Sequence, residues 1–458
     1  MKIEGVILPT RGHNASWNLE VSDGIIRTME PVTHQHADAA ATPSLLLPAL
    51  CHPHIHLDKP YILTCNHGTS PDHPDYSDLA PRTGSFGEAL SNTSKAKERY
   101  TAEDLYLRGS QLLATGHRQG VTSLRAFVEL DHVTGIQPLT TAIKLKDDFS
   151  HLVEIQICAF AQDPIFSTQH GEENRAMISA ALADYSAHIS ALGTTPYVED
   201  SVDASLRNIE WAVATAIHHD LHLDFHLDYN LTAPDTTKPQ TYSVIDALER
   251  QEWADKANRS NTIVIGHCTQ LSNLAAADLA NLADRIKSSK LPVFFVGLPT
   301  SDLFMMGRPD PSSPQHRPHH RPRGTLHVPS LIKDYSMSAC LGVNNVGNAF
   351  TPYGTGDPLQ LASWGVGIYQ AGTVEDAQLL FSCVSWGARR AIGLEVTSDN
   401  GDIKVGDRWQ AMLRVENEQC WSLEGRSGRA MDVPARQRMS FRDVVWDPPD
   451  VHLRSIIR

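Results

Sequence analysis

The sequence predicts an α/β fold, a (β/α)8 TIM barrel with a small flanking β-sandwich domain built from both termini. Three observations predict it. Between residues 44 and 395, eight short apolar runs alternate with segments of helical periodicity, the pattern of a parallel sheet and its crossover helices. Residues 1–43 and 396–458 hold short strand-like pieces instead, placed to meet in one small domain. The 458 residues accommodate a barrel of about 250 residues with a smaller domain beside it.

At the N-terminus, "GVILP" and "WNLEVSDGIIRTME" read as strands, with Ser22, Asp23 and Gly24 as the turn. The barrel runs begin with "SLLLPALCHPHIH" (44–56), "VTSLRAFVEL" (121–130), "VEIQICAFAQ" (153–162) and "HISALGTTPYVE" (188–199). They continue with "LHLDFHLDYN" (221–230), "NTIVIGHC" (261–268), "PVFFVGLP" (292–299) and "MSACLGVNN" (337–345). Among the intervening segments, "TAEDLYLRGSQLLATG" opens on a Thr101-x-x-Asp104 capping signal. In 203–218, Leu206, Ile209, Val213 and Ile217 share a helix face, with Asp203 as the expected N-cap. The Pro-rich cationic tract "GRPDPSSPQHRPHHRPRG" (307–324) reads as a solvated loop after the seventh strand or, because it opens on the catalytic face, as an active-site lid. "NGDIKVGDRWQAMLRV" starts the last set of short strands.

Composition narrows the function. With 41% hydrophobic and 20% charged residues, the chain can bury a large core. A net charge of −14 argues against a nucleic-acid or anionic-membrane partner, the short basic tract notwithstanding. No apolar stretch approaches the ~18 residues of a membrane span, and the N-terminus lacks the pattern of a secretory signal. Seven cysteines, an odd number without a C-x-x-C pair, suit the reduced thiols of a cytoplasmic protein. The expected partner is a small molecule, and a homo-oligomer is compatible with all of this.

Chemistry in such a barrel belongs at the C-terminal strand ends, and here those ends carry histidines. The first run ends in "CHPHIHLDK". Alternate residues of an extended segment face the same way, so His54 and His56 point together into the barrel mouth. Two imidazoles at i and i+2 can bind one metal ion, with Zn or Fe the natural candidates. His226 and His267 stand near the ends of the fifth and sixth runs. Histidines at three strand ends point to a metal site.

These residues resemble the amidohydrolase superfamily of metal-dependent hydrolases, and within it the branch of cytosine deaminase and the s-triazine amidohydrolases. The resemblance rests on "PHIHLDK", the histidine ending the fifth strand and the "GH" ending the sixth. It extends to "IQICAFAQDPIF", "MMGRPD" and "NNVGNAFTPYGTGDPLQLASWGVGIYQ", so most of 44–392 is covered. It implies that His54, His56 and His226 bind one divalent metal ion, Zn or Fe. His267 would lie beside the bound water and substrate, and Gln162 would pair with a cyclic amide. Tyr197, Val198 and Glu199 occupy the fourth strand's end without a lysine, so a carboxylated-lysine bridge between two metals is not expected.

Two positions depart from that pattern. Where cytosine deaminase continues the fifth strand with a proton-shuttling glutamate, this chain has Tyr229, whose phenol titrates near ~10 and cannot replace a carboxylate at neutral pH. Where the family places a metal-binding aspartate, this chain has Asn344, whose carbonyl can face a metal but cannot take up a proton as an anion. Asp228, two residues past His226, is the leading substitute base. Glu129 is a second, and Asp58 suits a partner of the H-x-H strand better than a base. Asn348 and Asp357 read as turn and cap residues.

The expected function is metal-dependent hydrolysis of a non-peptide C–N bond, as in a deaminase or amidohydrolase, by attack of metal-bound hydroxide. The substrate would be a small cyclic amide, amidine or amine. The alternative is a hydrolysis-impaired barrel that binds a ligand or catalyses a lyase or isomerase step.

Overall fold

The computed structural model describes residues 1–12, 15–32, 42–229, 231, 238–308 and 323–458. Each of the eight apolar runs contains a strand: Leu50–His56 (β1), Val121–Glu129 (β2), Glu154–Ala161 (β3), Ile189–Thr194 (β4), His222–Leu227 (β5), Ile263–His267 (β6), Val293–Gly297 (β7) and Ala339–Leu341 (β8). Neighbours in sequence are neighbours in one parallel sheet, from β1 to β8. The ring closes through the residue just beyond β8. Asn344 N donates to His54 O and His56 N donates to Asn344 O, each at 3.0 Å, bridging the last strand to the first. Strands covered on both faces must be apolar throughout, and all nine residues of β2 are buried.

Inside the barrel, Phe127, Cys158, Phe160 and Ala191 pack together under the C-terminal mouth. Nearer the N-terminal end, buried Arg125 donates to Asp224 at 3.1 Å and to Gln156 at 3.1 and 3.2 Å. A buried charge is tolerable only when paired and hydrogen-bonded, and Arg125 has both.

Thr101 caps helix Ala102–Gln119 by accepting from Asp104 N, as its spacing predicts. Helix Val202–His218 is capped by Ser201, whose extended backbone (φ −145°) lets Oγ accept from Ala204 N, and Asp203 lies inside the first turn. Its buried stripe runs through Ser205, Asn208, Ile209, Ala212, Val213 and Ala216, leaving Leu206 exposed. Small residues bring this helix close to the sheet, so the contact face is not the one its largest side chains mark.

The run at 44–56 divides at Ala49. Leu45–Pro48 leaves the barrel for a six-stranded mixed sheet with Lys2–Ile7, Ser16–Ser22, Ile25–Pro31, Met412–Val415 and Arg454–Ile457, so both termini build one layer. Its own core gathers Ile3, Val6, Leu8, Leu19, Val21, Ile26, Leu46, Ile403 and Met412. The turn at Asp23 and Gly24 has positive φ at both residues, the geometry that glycine and aspartate supply in a tight hairpin. Cys420–Glu424 and Ala430–Pro434 form a separate two-stranded hairpin, while helix Phe441–Trp446 packs back on the barrel through Phe441, Phe381 and Trp386. Residues 309–322 of the Pro-rich tract lie outside the described residues. No helix among the described residues is long and apolar enough to cross a membrane.

Candidate functional site

Three imidazoles converge at the barrel mouth. His54 and His56 project from β1, and His226 from β5 faces them, all three buried. His54 Nε2 stands 3.0 Å from His226 Nε2, which stands 3.4 Å from His56 Nε2. Gly266 on β6 leaves space for the His54 ring, since a Cβ there would lie 3.0 Å from His54 Cε1. Burial, the largest influence on each, holds all three imidazoles well below their ordinary pKa, and neighbouring positive groups add to it. They are therefore neutral. Three neutral imidazoles whose Nε2 atoms converge can turn their lone pairs on one shared cation when the ring N–H sits on Nδ1. The donor set is one that Zn or Fe accepts.

The rear of each β1 ring meets a carboxylate. His54 Nδ1 is 4.0 Å from Asp224 Oδ1, and His56 Nδ1 is 3.9 Å from Asp58 Oδ1. Both carboxylates are buried and otherwise engaged, Asp224 with Arg125 and Asp58 with the Glu129 backbone N–H at 3.1 Å. They stand where partners that fix imidazole orientation belong.

Asn344 adopts φ +66°, a left-handed conformation that asparagine tolerates better than most residues. Its Nδ2 donates to Ser301 Oγ at 3.0 Å, and Ser301 Oγ lies 2.8 Å from Thr351 Oγ1. In this orientation Oδ1 is buried and without a hydrogen-bond donor among the described residues, and the side chain lines the same cavity as His56 and His226. An orphaned buried carbonyl beside three converging nitrogens is a further fit to a cation.

The structure also supplies a carboxylate that sequence reasoning missed. Asp302, fully buried in the helix Pro299–Met305 after β7, stands 2.8 Å from His267 Nδ1. Its other oxygen accepts from Thr325 Oγ1 at 2.7 Å. With Nδ1–H held by Asp302, His267 presents Nε2 as an acceptor. Nothing in "LPTSDLF" marks this aspartate, because the pairing spans 35 residues and two elements.

Asp228 goes elsewhere. Its backbone turns left-handed at φ +48°, which ends the strand alternation that aligned it with His226. Oδ1 accepts from Gln240 N at 2.7 Å, and Oδ2 from Thr241 N at 2.9 Å and Thr241 Oγ1 at 2.6 Å. Both oxygens thus anchor the start of helix Gln240–Arg250. Glu129 is likewise committed, paired with Lys59 and with Lys97 at 2.8 Å, while Lys97 also holds Asp131 and Asp163. Asn348 ties the loop backbone at Phe350 and Thr351, and Asp357 caps helix Pro358–Ile368.

His56, His226, His267, Gln162, Tyr229 and Asn344 line one small cavity, together with Phe86, Tyr197, Ser301, Met305, Asn345 and Phe350. Phe86 stacks on Tyr229 at 5.3 Å, and Tyr197 stacks on Tyr229 at 5.9 Å, making one aromatic wall. The Tyr229 hydroxyl is buried without a partner among the described residues, and burial raises its pKa far above the ordinary phenol value. It therefore remains protonated. Opposite, Gln162 Oε1 lies 3.5 Å from Lys59 Nζ, a group with donors only, so the Gln162 amide N–H groups are the ones left for the cavity.

No family model matches this chain, and no curated protein matches it. Solved structures do. The 5-methylcytosine deaminase of Klebsiella pneumoniae bound to 5-fluorocytosine superposes with a TM-score of 0.74 at 19% identity, over 97% of this chain and 93% of that one. The N-isopropylammelide isopropylaminohydrolase of Burkholderia multivorans gives 0.66 at 19% identity, over 98% and 94%. The zinc complex of atrazine chlorohydrolase from Arthrobacter aurescens gives 0.56 at 13% identity, over 91% and 87%. Barrel, terminal sheet and buried three-histidine cluster are together the architecture that the resemblance to the amidohydrolase superfamily implies.

Proposed function

We propose that this protein is a metal-dependent hydrolase of a non-peptide C–N bond in a small cyclic amide, amidine or amine. His54, His56 and His226 hold one divalent ion, Zn or Fe. The observation that carries the proposal is the convergence of three buried, neutral imidazoles, with Nε2 separations of 3.0 and 3.4 Å, at a small cavity in the barrel mouth. When bound, such an ion acts as a Lewis acid and lowers the pKa of water toward ~7, which supplies a nucleophile at neutral pH.

The chain's own groups do the rest. His267 Nε2, oriented through Asp302, accepts a proton from the attacking water and returns it to the leaving nitrogen. Gln162 donates N–H to a ring carbonyl or ring nitrogen, and the Phe86–Tyr229–Tyr197 wall packs against the flat ring. Tyr229 Oη, kept protonated, donates a hydrogen bond to a polar edge of the substrate. The neighbours named for 5-methylcytosine and N-isopropylammelide support a heterocyclic substrate. The seven cysteines are all free, which supports a cytoplasmic location.

Metal analysis followed by turnover of a panel of pyrimidines, triazines, hydantoins and lactams tests the proposal. Hydrolysis of one class that chelation abolishes supports it, and turnover that survives complete metal removal contradicts it. Asn344 favours a second reading, a barrel that retains binding but has lost hydrolysis. Asn344→Asp separates the two: a large gain in metal retention and hydrolysis marks a decayed site, and loss of an existing activity marks an asparagine built into the mechanism.

A further inference from the structure

Among the described residues, no aspartate, glutamate, lysine or arginine lines the cavity at the barrel mouth. The polar groups left there to meet a ligand are donors. Gln162 turns Oε1 toward Lys59 Nζ at 3.5 Å, which leaves its N–H groups. Asn345 Oδ1 accepts from Asn348 Nδ2 at 2.8 Å, which leaves the Asn345 N–H groups in the same way. The Tyr229 hydroxyl is buried without a partner among the described residues. Its ring is held between Phe86 and Tyr197 and meets His267 edge-on, with centroids 5.1 Å apart. Ser301 Oγ is already engaged by Asn344 Nδ2 and Thr351 Oγ1. A ring that presents carbonyl oxygens satisfies these donors. An amino group would set N–H against N–H, and an amidinium would find no carboxylate.

The same lining limits proton transfer. His267 has Nδ1 on Asp302 at 2.8 Å, so Nε2 is its one free position. His56 and His226 also line the cavity, but their Nε2 atoms belong to the histidine cluster. Opening a cyclic amide breaks the ring C–N bond and joins the water oxygen to the carbonyl carbon. One water proton goes to the departing nitrogen, and the other leaves with the new carboxyl group. One carrier suffices. Replacing the amino group of a C=N ring ends in C=O and ammonia. Both water protons must then be delivered, one to the ring nitrogen and one to the amine across the attacked carbon. That calls for a second carrier, which neither a phenol nor a side-chain amide supplies at neutral pH.

We infer that the site selects an uncharged cyclic amide or imide, whose carbonyl oxygens accept from Gln162, Asn345 and Tyr229, over an amidine or amino-substituted ring. The inference rests on the hydrolase reading and narrows its substrate. Zinc-loaded full-length protein is offered glutarimide, hydantoin and dihydrouracil beside cytosine and 2-aminopyrimidine. Calorimetry reads binding, and separate assays read new carboxylate and ammonia. The wild type is expected to bind at least one imide about tenfold or more tighter than either amino ring, and to open it without releasing ammonia. Tyr229→Phe should weaken that binding about tenfold, with circular dichroism and zinc binding unchanged. Gln162→Met is expected to do the same and decides the point if the first variant does not fold. Tighter binding of an amino ring, or ammonia release from one that chelation stops, overturns the inference and leaves the hydrolase reading standing. Binding of neither class, or imide binding that neither variant weakens, also overturns it. Preferred imide binding without ring opening, or ring opening that survives complete metal removal, upholds the ligand class and contradicts the hydrolase reading alone.

Discussion

Asn344 joins two functions in one residue, since its backbone closes the barrel while its side chain lines the cavity that His56, His226 and His267 also line. The missing charge at this position has a counterpart in Asp302, on the far side of His267. Removing that charge while keeping the hydrogen-bonding shape isolates its role. Asp302→Asn should lower kcat by about 10²–10⁴-fold, because His267 loses its fixed tautomer, and zinc content should be unchanged. Steady-state kinetics beside metal analysis reads both. Equal losses of metal and activity would instead make Asp302 part of the ion's support. Lys59→Met tests the buried ionic cluster, since among the described residues Glu129 then keeps only Lys97 as a cationic partner. The expected loss is about 3–5 kcal/mol of stability, measured by denaturant unfolding.

At the level of single elements, period and capping rules were reliable where the backbone stayed regular. His54 and His56 face together because β1 remains extended through both. The same alternation fails for Asp228 because β5 ends at Leu227 and the next residue turns left-handed. Local spacing also revealed the Thr101 cap, yet chose Asp203 over Ser201, as both types cap and only the backbone angles separate them. The consequence is measurable. Ser201→Ala should cost about 1 kcal/mol in thermal or denaturant unfolding, and Asp203→Ala only a few tenths. The reverse order would return the cap to Asp203.

For the whole molecule, the eightfold alternation of apolar runs was legible because each β/α unit is a local pattern. The histidines were legible because they sit on those units' ends. What escaped was built from distance: Asp302 reaching His267, Lys59 reaching Glu129, and strand Leu45–Pro48 pairing with Met412–Val415 across most of the chain. No short-range rule encodes such partners. These layers together support one cation site, so binding should stabilise the fold. Zinc at a hundredfold excess over its dissociation constant should add about 2.7 kcal/mol to unfolding. The most direct test is calorimetric titration of zinc into metal-free protein, with wild type and His226→Ala compared. The wild type is expected to bind about one saturable equivalent per chain, and the variant none. Undiminished binding by His226→Ala, or none by the wild type, would contradict a metal site built on these three histidines.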